Sequence, residues 1–231
     1  MEYKDIKENI RESMGLPQEE DQPEVLEEAF VAQPKKFDLG TEKLSQKAKT
    51  AHLSLYNNYT SCFNKTSAEL DGIPREDANS SCSLFRDVKL SEQFNMSAVY
   101  LHELYFANIS SPASELTMDS LTYMKLARDW GTFDAWQRDF IACAMSARSG
   151  WAACCYNTYL QGYVNVIVDG HVGNVPMGCV PVIVMDMWEH AYFRDYLNNK
   201  KQYLYNMMSE LNWDIIDSRF HRAERMAQVS R

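Results

Sequence analysis

VPVIVMDMWEHAYFRDY, residues Val180 to Tyr196, changes character at Asp186. The residues before it, Val182-Ile183-Val184-Met185, are apolar and mostly β-branched, the composition of a short buried strand. From Met187 to Tyr205 the polar and apolar spacing is that of a helix. Asp186 therefore stands where a strand hands the chain to a helix, and His190, about one turn further on, brings an imidazole towards the same point. Two readings fit this pair. They are ligands of one metal ion, or an aspartate capping the helix beside a histidine satisfied in the core.

With 231 residues, 45% of them hydrophobic, the chain can bury an ordinary core as one domain or two small ones. No run approaches the roughly 20 apolar residues of a membrane span, and Met1-Glu2-Tyr3-Lys4-Asp5 does not begin a signal peptide. The expectation is a soluble, cytoplasmic protein with no membrane partner. A formal net charge of -9 argues against nucleic acid as a partner, and an anionic substrate would need local guidance. The six cysteines, Cys62, Cys82, Cys143, Cys154, Cys155 and Cys179, form no CxxC pair and read as reduced, incidental thiols. Five glycosylation sequons begin at Asn58, Asn64, Asn79, Asn95 and Asn108, and without a secretory signal they read as plain composition.

Residues 1–35 carry ten acidic side chains against Lys4, Lys7, Arg11 and Lys35, with Pro17, Pro23 and Pro34 as punctuation. This predicts an acidic extension, residues 1–37, with one short helix at Asp5 to Ser13; it is a solvated tail or an arm that holds a partner. A long helix is predicted from Leu44 to Asn64, where Leu44, His52, Leu55, Tyr56, Tyr59 and Phe63 recur at spacings near three and four. Lys65 to Asp87 reads as loop, and Phe94 to Asn108 as a second helix antiparallel to the first. Ser111-Pro112 marks a boundary, so a helical-hairpin domain spans 38–112 and a second domain 113–221, followed by a basic tail, 222–231. In the second domain, helical residues Met118 to Ser149 turn at Trp130-Gly131-Thr132-Phe133. Strands are then predicted at Trp151 to Asn157, Tyr163 to Asp169 and Val180 to Met185. The fold class is α+β: an N-terminal antiparallel helical hairpin, then a C-terminal domain of helices and a small three-stranded antiparallel sheet.

Asp186-Met187-Trp188-Glu189-His190-Ala191-Tyr192, with Asp195-Tyr196 and Asn212-Trp213 beyond it, resembles the signature of the iron/manganese superoxide dismutases. Leu44-Ser45 ahead of His52, Asn95 to Phe106 around His102, and Ser149-Gly150-Trp151 are similar to further segments of that family. The resemblance covers roughly residues 38 to 220. It implies that His52, His102, Asp186 and His190 hold one iron or manganese ion per subunit, a set of three nitrogens and one oxygen that suits either metal. It also implies a cycle in which superoxide becomes dioxygen and hydrogen peroxide. Asp169-Gly170-His171-Val172-Gly173-Asn174-Val175-Pro176 is similar to the loop of a subgroup in which a histidine bonds the metal-bound solvent, which gives His171 the tuning role.

At the substrate entrance the family places a tyrosine and, commonly, an arginine; Tyr59 and Lys200 are the residues here. Tyr59 follows His52 by seven residues where the family spacing is eight. The helix is locally adjusted, or Thr60 occupies the entrance, or His52 is not a ligand. Tyr56 replaces a common histidine, and Phe193 replaces the tyrosine that reaches that histidine across the dimer. Glu189, flanked by Trp188 and Tyr192, is implied to bond His190 of a second subunit, making a homodimer or a dimer of dimers. The remaining histidine, His221, has no role. A second reading keeps the fold and gives up the chemistry: a structural or assembly protein with the acidic extension as its docking arm.

Overall fold

The computed structural model describes residues 3–14 and 31–229. Much of the acidic extension, with Pro17 and Pro23, lies outside the described residues. Within them, helix α1 spans Tyr3–Ser13.

Two long helices make the hairpin. Helix α2 runs Gln46–Asp71, starting where the Ser45 hydroxyl accepts a hydrogen bond from the Ala48 amide at 3.2 Å. Helix α3 runs Leu84–Asn108 from a matching Ser83 cap. Both exceed the predicted spans, so the polar stretch around Lys65 and the residues from Leu84 are helical and the connection shrinks to 72–83. Phe63, Tyr56, Tyr105 and Phe106 bury the shared face, while Lys65, Asp87 and their neighbours remain on the solvated one. His52 lies near the start of α2 and His102 near the end of α3, so antiparallel packing brings them level.

Helices α4 (Leu121–Trp130) and α5 (Phe133–Ser146) turn at Gly131, whose φ of +83° suits glycine. They pack on the sheet formed by β1 (Gly150–Asn157), β2 (Gly162–Asp169) and β3 (Cys179–Asp186), ordered β2-β1-β3 and antiparallel throughout. Central β1 is buried along its whole length, consistent with its apolar GWAACCYN composition. A bulge between Cys154 and Cys155 shifts its register against β3 and sharpens the local twist. Gly150 is required where it stands, since a Cβ there would come within 2.0 Å of the Val168 carbonyl oxygen.

The helix predicted from Met187 to Tyr205 is two helices, α6 (Glu189–Tyr196) and α7 (Lys200–Met208). Leu197 breaks it with a φ of +52°, and Asn199 caps the next helix through its side-chain oxygen. Helix α8, Trp213–Val229, begins at the Asn212 side chain and continues through residues 222–229 of the basic tail. One apolar core runs through both halves of the molecule, from Tyr56 and Phe106 to Trp136, Trp151, Ile183 and Phe220. Arg219 of α8 seams the halves by donating to the Leu104 and Val182 carbonyls and the Asn108 side chain; burial lowers its pKa to about 10, which leaves it charged.

Candidate metal centre

Asp186 ends β3 with no exposure at all, and its Oδ2 is the focus of three imidazoles. His52 Nε2 lies 3.1 Å away, His190 Nε2 3.2 Å and His102 Nε2 3.7 Å. One ligand atom from each of the four residues lies within 4.8 Å of every other. The other carboxylate oxygen accepts from the Trp188 amide at 2.9 Å, and the Asp186 carbonyl accepts from the Tyr203 hydroxyl at 2.9 Å. Burial alone would raise the Asp186 pKa, but His190 and His52 outweigh it and hold the carboxyl well below the usual carboxylate range.

His102 supplies the test of fit. Its Nδ1–H donates to the Ala98 carbonyl at 2.7 Å, one turn back in α3, so Nε2 carries a bare lone pair. That nitrogen is buried and has no hydrogen-bond partner, a deficit that costs about 1–3 kcal/mol when nothing answers it. Burial first, then the charge of His52, lowers the His102 pKa to about 3, which keeps the ring neutral. Desolvation also lowers His52, against the opposing pull of Asp186. Three imidazole nitrogens and a carboxylate, converging without a Lys or Arg ion-paired to Asp186 among the described residues, match the donor set of a cation. The four residues fit an iron or manganese ion.

Beside this group lies a second hydrogen-bonded chain. Trp151 Nε1–H donates to His171 Nδ1 at 3.0 Å, which leaves the His171 proton on Nε2, 3.2 Å from the Tyr59 hydroxyl oxygen. Burial lowers the His171 pKa to about 4 and raises that of Tyr59. The hydroxyl of Thr60 turns back to the Tyr56 carbonyl at 3.1 Å inside α2. Of the two residues predicted for the entrance, Tyr59 reaches His171 and Thr60 does not, while His52 stays in the cluster. The Trp188 ring stacks against His171 at 5.2 Å and against His190 at 5.8 Å.

Other predicted residues fall outside the cluster. The Lys200 ammonium donates to the Ala147 carbonyl at the end of α5. Tyr56 is fully buried; its hydroxyl donates to Glu103 Oε1 and accepts from the Lys35 amide, both at 2.9 Å, fastening the segment before α2 onto α3. Glu189 is exposed, Phe193 is 52% exposed, and the two lie one turn apart on α6. Sequence reasoning missed Phe94, whose ring edges against His171 at 4.6 Å, and Phe106, which edges against His52 at 4.8 Å. It also missed Glu103 and Tyr203. Adjacency to His102 was the available signal for Glu103; for Tyr203, in α7 and away from Asp186 at the end of β3, there was none.

The family model for the C-terminal domain of iron/manganese superoxide dismutases matches residues 119–219. The superoxide dismutase [Fe] of Aquifex pyrophilus is 32% identical over 171 residues, covering 73% of this chain and 79% of that protein. Superoxide dismutase [Mn] 2 of Haloferax volcanii is 30% identical over 129 residues, 56% of this chain and 64% of that one. The superoxide dismutase [Fe] of Mycobacterium tuberculosis is 30% identical over 131 residues, 56% and 63% of the two chains. Similarity over most of the length of the Aquifex enzyme, together with the C-terminal match, shows that the chain belongs to the iron/manganese superoxide dismutase family.

Proposed function

We propose that the protein is a superoxide dismutase whose single iron or manganese ion is held by His52, His102, Asp186 and His190. The observation that carries this reading is the buried, unpartnered Nε2 of His102 aimed at Asp186 with two further imidazoles. When bound, the ion supplies one-electron redox chemistry, by which two superoxide anions become dioxygen and hydrogen peroxide with uptake of two protons. Ala98 fixes the tautomer of His102 and so the direction of its lone pair. Trp188 N–H and the Tyr203 hydroxyl hold Asp186 at both of its ends.

In this reading Tyr59 is the proton donor to the departing peroxide, since burial keeps its hydroxyl protonated. His171 Nε2–H then stabilises the phenolate left behind, and Trp151 keeps the imidazole in the tautomer that can do so. An assembly protein with no chemistry would have no need of this chain or of four converging ligand atoms. The exposed Glu189 and Phe193 on α6, next to a His190 that is 24% exposed in one subunit, support a dimer in which Glu189 reaches the second subunit. No helix among the described residues is long and apolar enough to cross a membrane.

The test is metal analysis of the purified protein with its superoxide-dismuting rate. About one iron or manganese per chain and a rate that His102→Ala removes together with the metal are expected. A metal-free protein, or full metal occupancy in His102→Ala, overturns the assignment.

A further inference from the structure

At the opposite end of β3 from Asp186 lies a second group of reactive side chains. Cys179 opens the strand, is half-buried, and pairs with Asn157 of β1; Cys155, two residues back along β1, lies opposite Pro181 and is only 2% exposed. Residues two apart on a strand share a face, so Cys155, Asn157 and Cys179 project from the same side of the sheet. Asn157 Nδ2 donates to Cys179 Sγ at 3.3 Å. The bulge between Cys154 and Cys155 adds twist where the two thiols lie diagonally across the strands. Cys154, next in sequence, faces the other side and is fully buried.

We propose that Cys155 and Cys179 are a peroxide-oxidised dithiol, Cys179 taking the oxygen and Cys155 closing a disulfide between β1 and β3. The proposal rests on the dismutase reading only for the source of the peroxide, which is the product of that reaction.

The chemistry balances without another reagent. Cys179 thiolate attacks one peroxide oxygen; the S–O bond forms, the O–O bond breaks, and the departing hydroxide takes a proton from solvent to leave as water. Cys155 sulfur then attacks Cys179 sulfur, the S–S bond forms as the S–O bond breaks, and the leaving hydroxide takes the Cys155 proton. Two thiols and one peroxide give one disulfide and two waters.

The surroundings suit each sulfur to its part. The Cys155 S–H bond and, secondarily, the Asn157 amide pull the Cys179 thiol down to about 6 against the effect of burial. The Cys155 thiol is pushed up, as the donor in that bond and by burial, so it waits as the second nucleophile. A more acidic thiolate is also less nucleophilic, so at pH 7 Cys179 gains only about two- to threefold over an ordinary thiol. Selectivity comes from the second sulfur: the exposed Cys62 and Cys82 have no such arrangement on one strand pair.

The test uses the full-length protein as purified, reduced, freed of reductant, and given one equivalent of hydrogen peroxide. Free thiols are then alkylated, and chymotryptic peptides are mapped by mass spectrometry. A Cys155–Cys179 link at least tenfold more abundant than any other pair, and lost on adding dithiothreitol, is expected. In Cys155→Ser, Cys179 should stop at the sulfenic acid and be labelled by dimedone. Cys155 and Cys179 alkylated to the same extent as Cys62 and Cys82, or a different dominant pair, overturns the proposal; the mapping of the unaltered chain decides even if the variant folds poorly. Because the peroxide is added as a reagent, an inactive protein that still forms this link would sink the dismutase reading alone.

Discussion

Strand β3 carries a different acid at each end, and the two are kept ionised by different means. Asp186 is wholly buried and is held ionised by His190 and His52 against the effect of that burial. Cys179 is half-buried and depends on a thiol and an amide that donate to its sulfur. The first arrangement still leaves His102 Nε2 without a partner beside the carboxylate, so it can take a cation; the second satisfies its sulfur with donors and needs none.

Removing the carboxylate should have the largest effect. Asp186→Ala is expected to leave less than a tenth of the metal of the unaltered chain and a background dismutation rate, measured by elemental analysis and superoxide consumption. Retained metal would mean that the convergence of imidazoles is packing alone. His171→Ala keeps all four ligand residues, so metal content should hold while the rate falls roughly 10- to 100-fold. His171→Gln should recover part of the loss, and an unchanged rate in His171→Ala at equal metal would remove this histidine from the machinery.

Acid separates the two ends further. In the metal-free protein, His102 and His171 titrate near 3 and 4, below the unfolded value of 6.5. Such groups bind more protons when unfolded, so their contribution is complete above pH 6.5 and is lost as pH falls towards the folded values. Each steepens the decline by at most about 1.4 kcal/mol per pH unit. Cys179 acts in a higher window, between its folded value of about 6 and the thiol value of 9.0, where its hydrogen bonds add stability as pH rises. Urea midpoints from pH 4.5 to 8.5 should therefore show a steep lower limb that Cys179→Ser leaves intact. A flat profile below pH 6.5 would contradict the burial of the two histidines as neutral rings. The smallest effect expected is that of Cys179→Ser on catalysis, a rate within about twofold of the unaltered enzyme at full metal content.

Much of the carboxylate end was legible because its residues lie close together in sequence. Asp186 and His190 needed only strand and helix periodicities, and the resemblance supplied His52 and His102. The entrance was less so: adjacent helical residues point about 100° apart, and His171, arriving from a distant loop, determines which hydroxyl is engaged. The break at Leu197 carries no Gly or Pro, so the helical pattern runs on through it. At the thiol end, Cys154 and Cys155 looked alike as neighbours. Strand pairing alone separates the one facing Trp136 from the one facing Cys179.

The wide separation of the four proposed ligand residues has a consequence for synthesis. His52 and His102 are brought level by the helical hairpin, whereas Asp186 and His190 follow more than eighty residues later. At roughly 5–20 residues per second, a ribosome takes about 4–17 s to cover that interval. During that time the nascent hairpin can present two imidazoles without the carboxylate that completes the set. The full set of four donors is therefore assembled only when the second half docks on the hairpin.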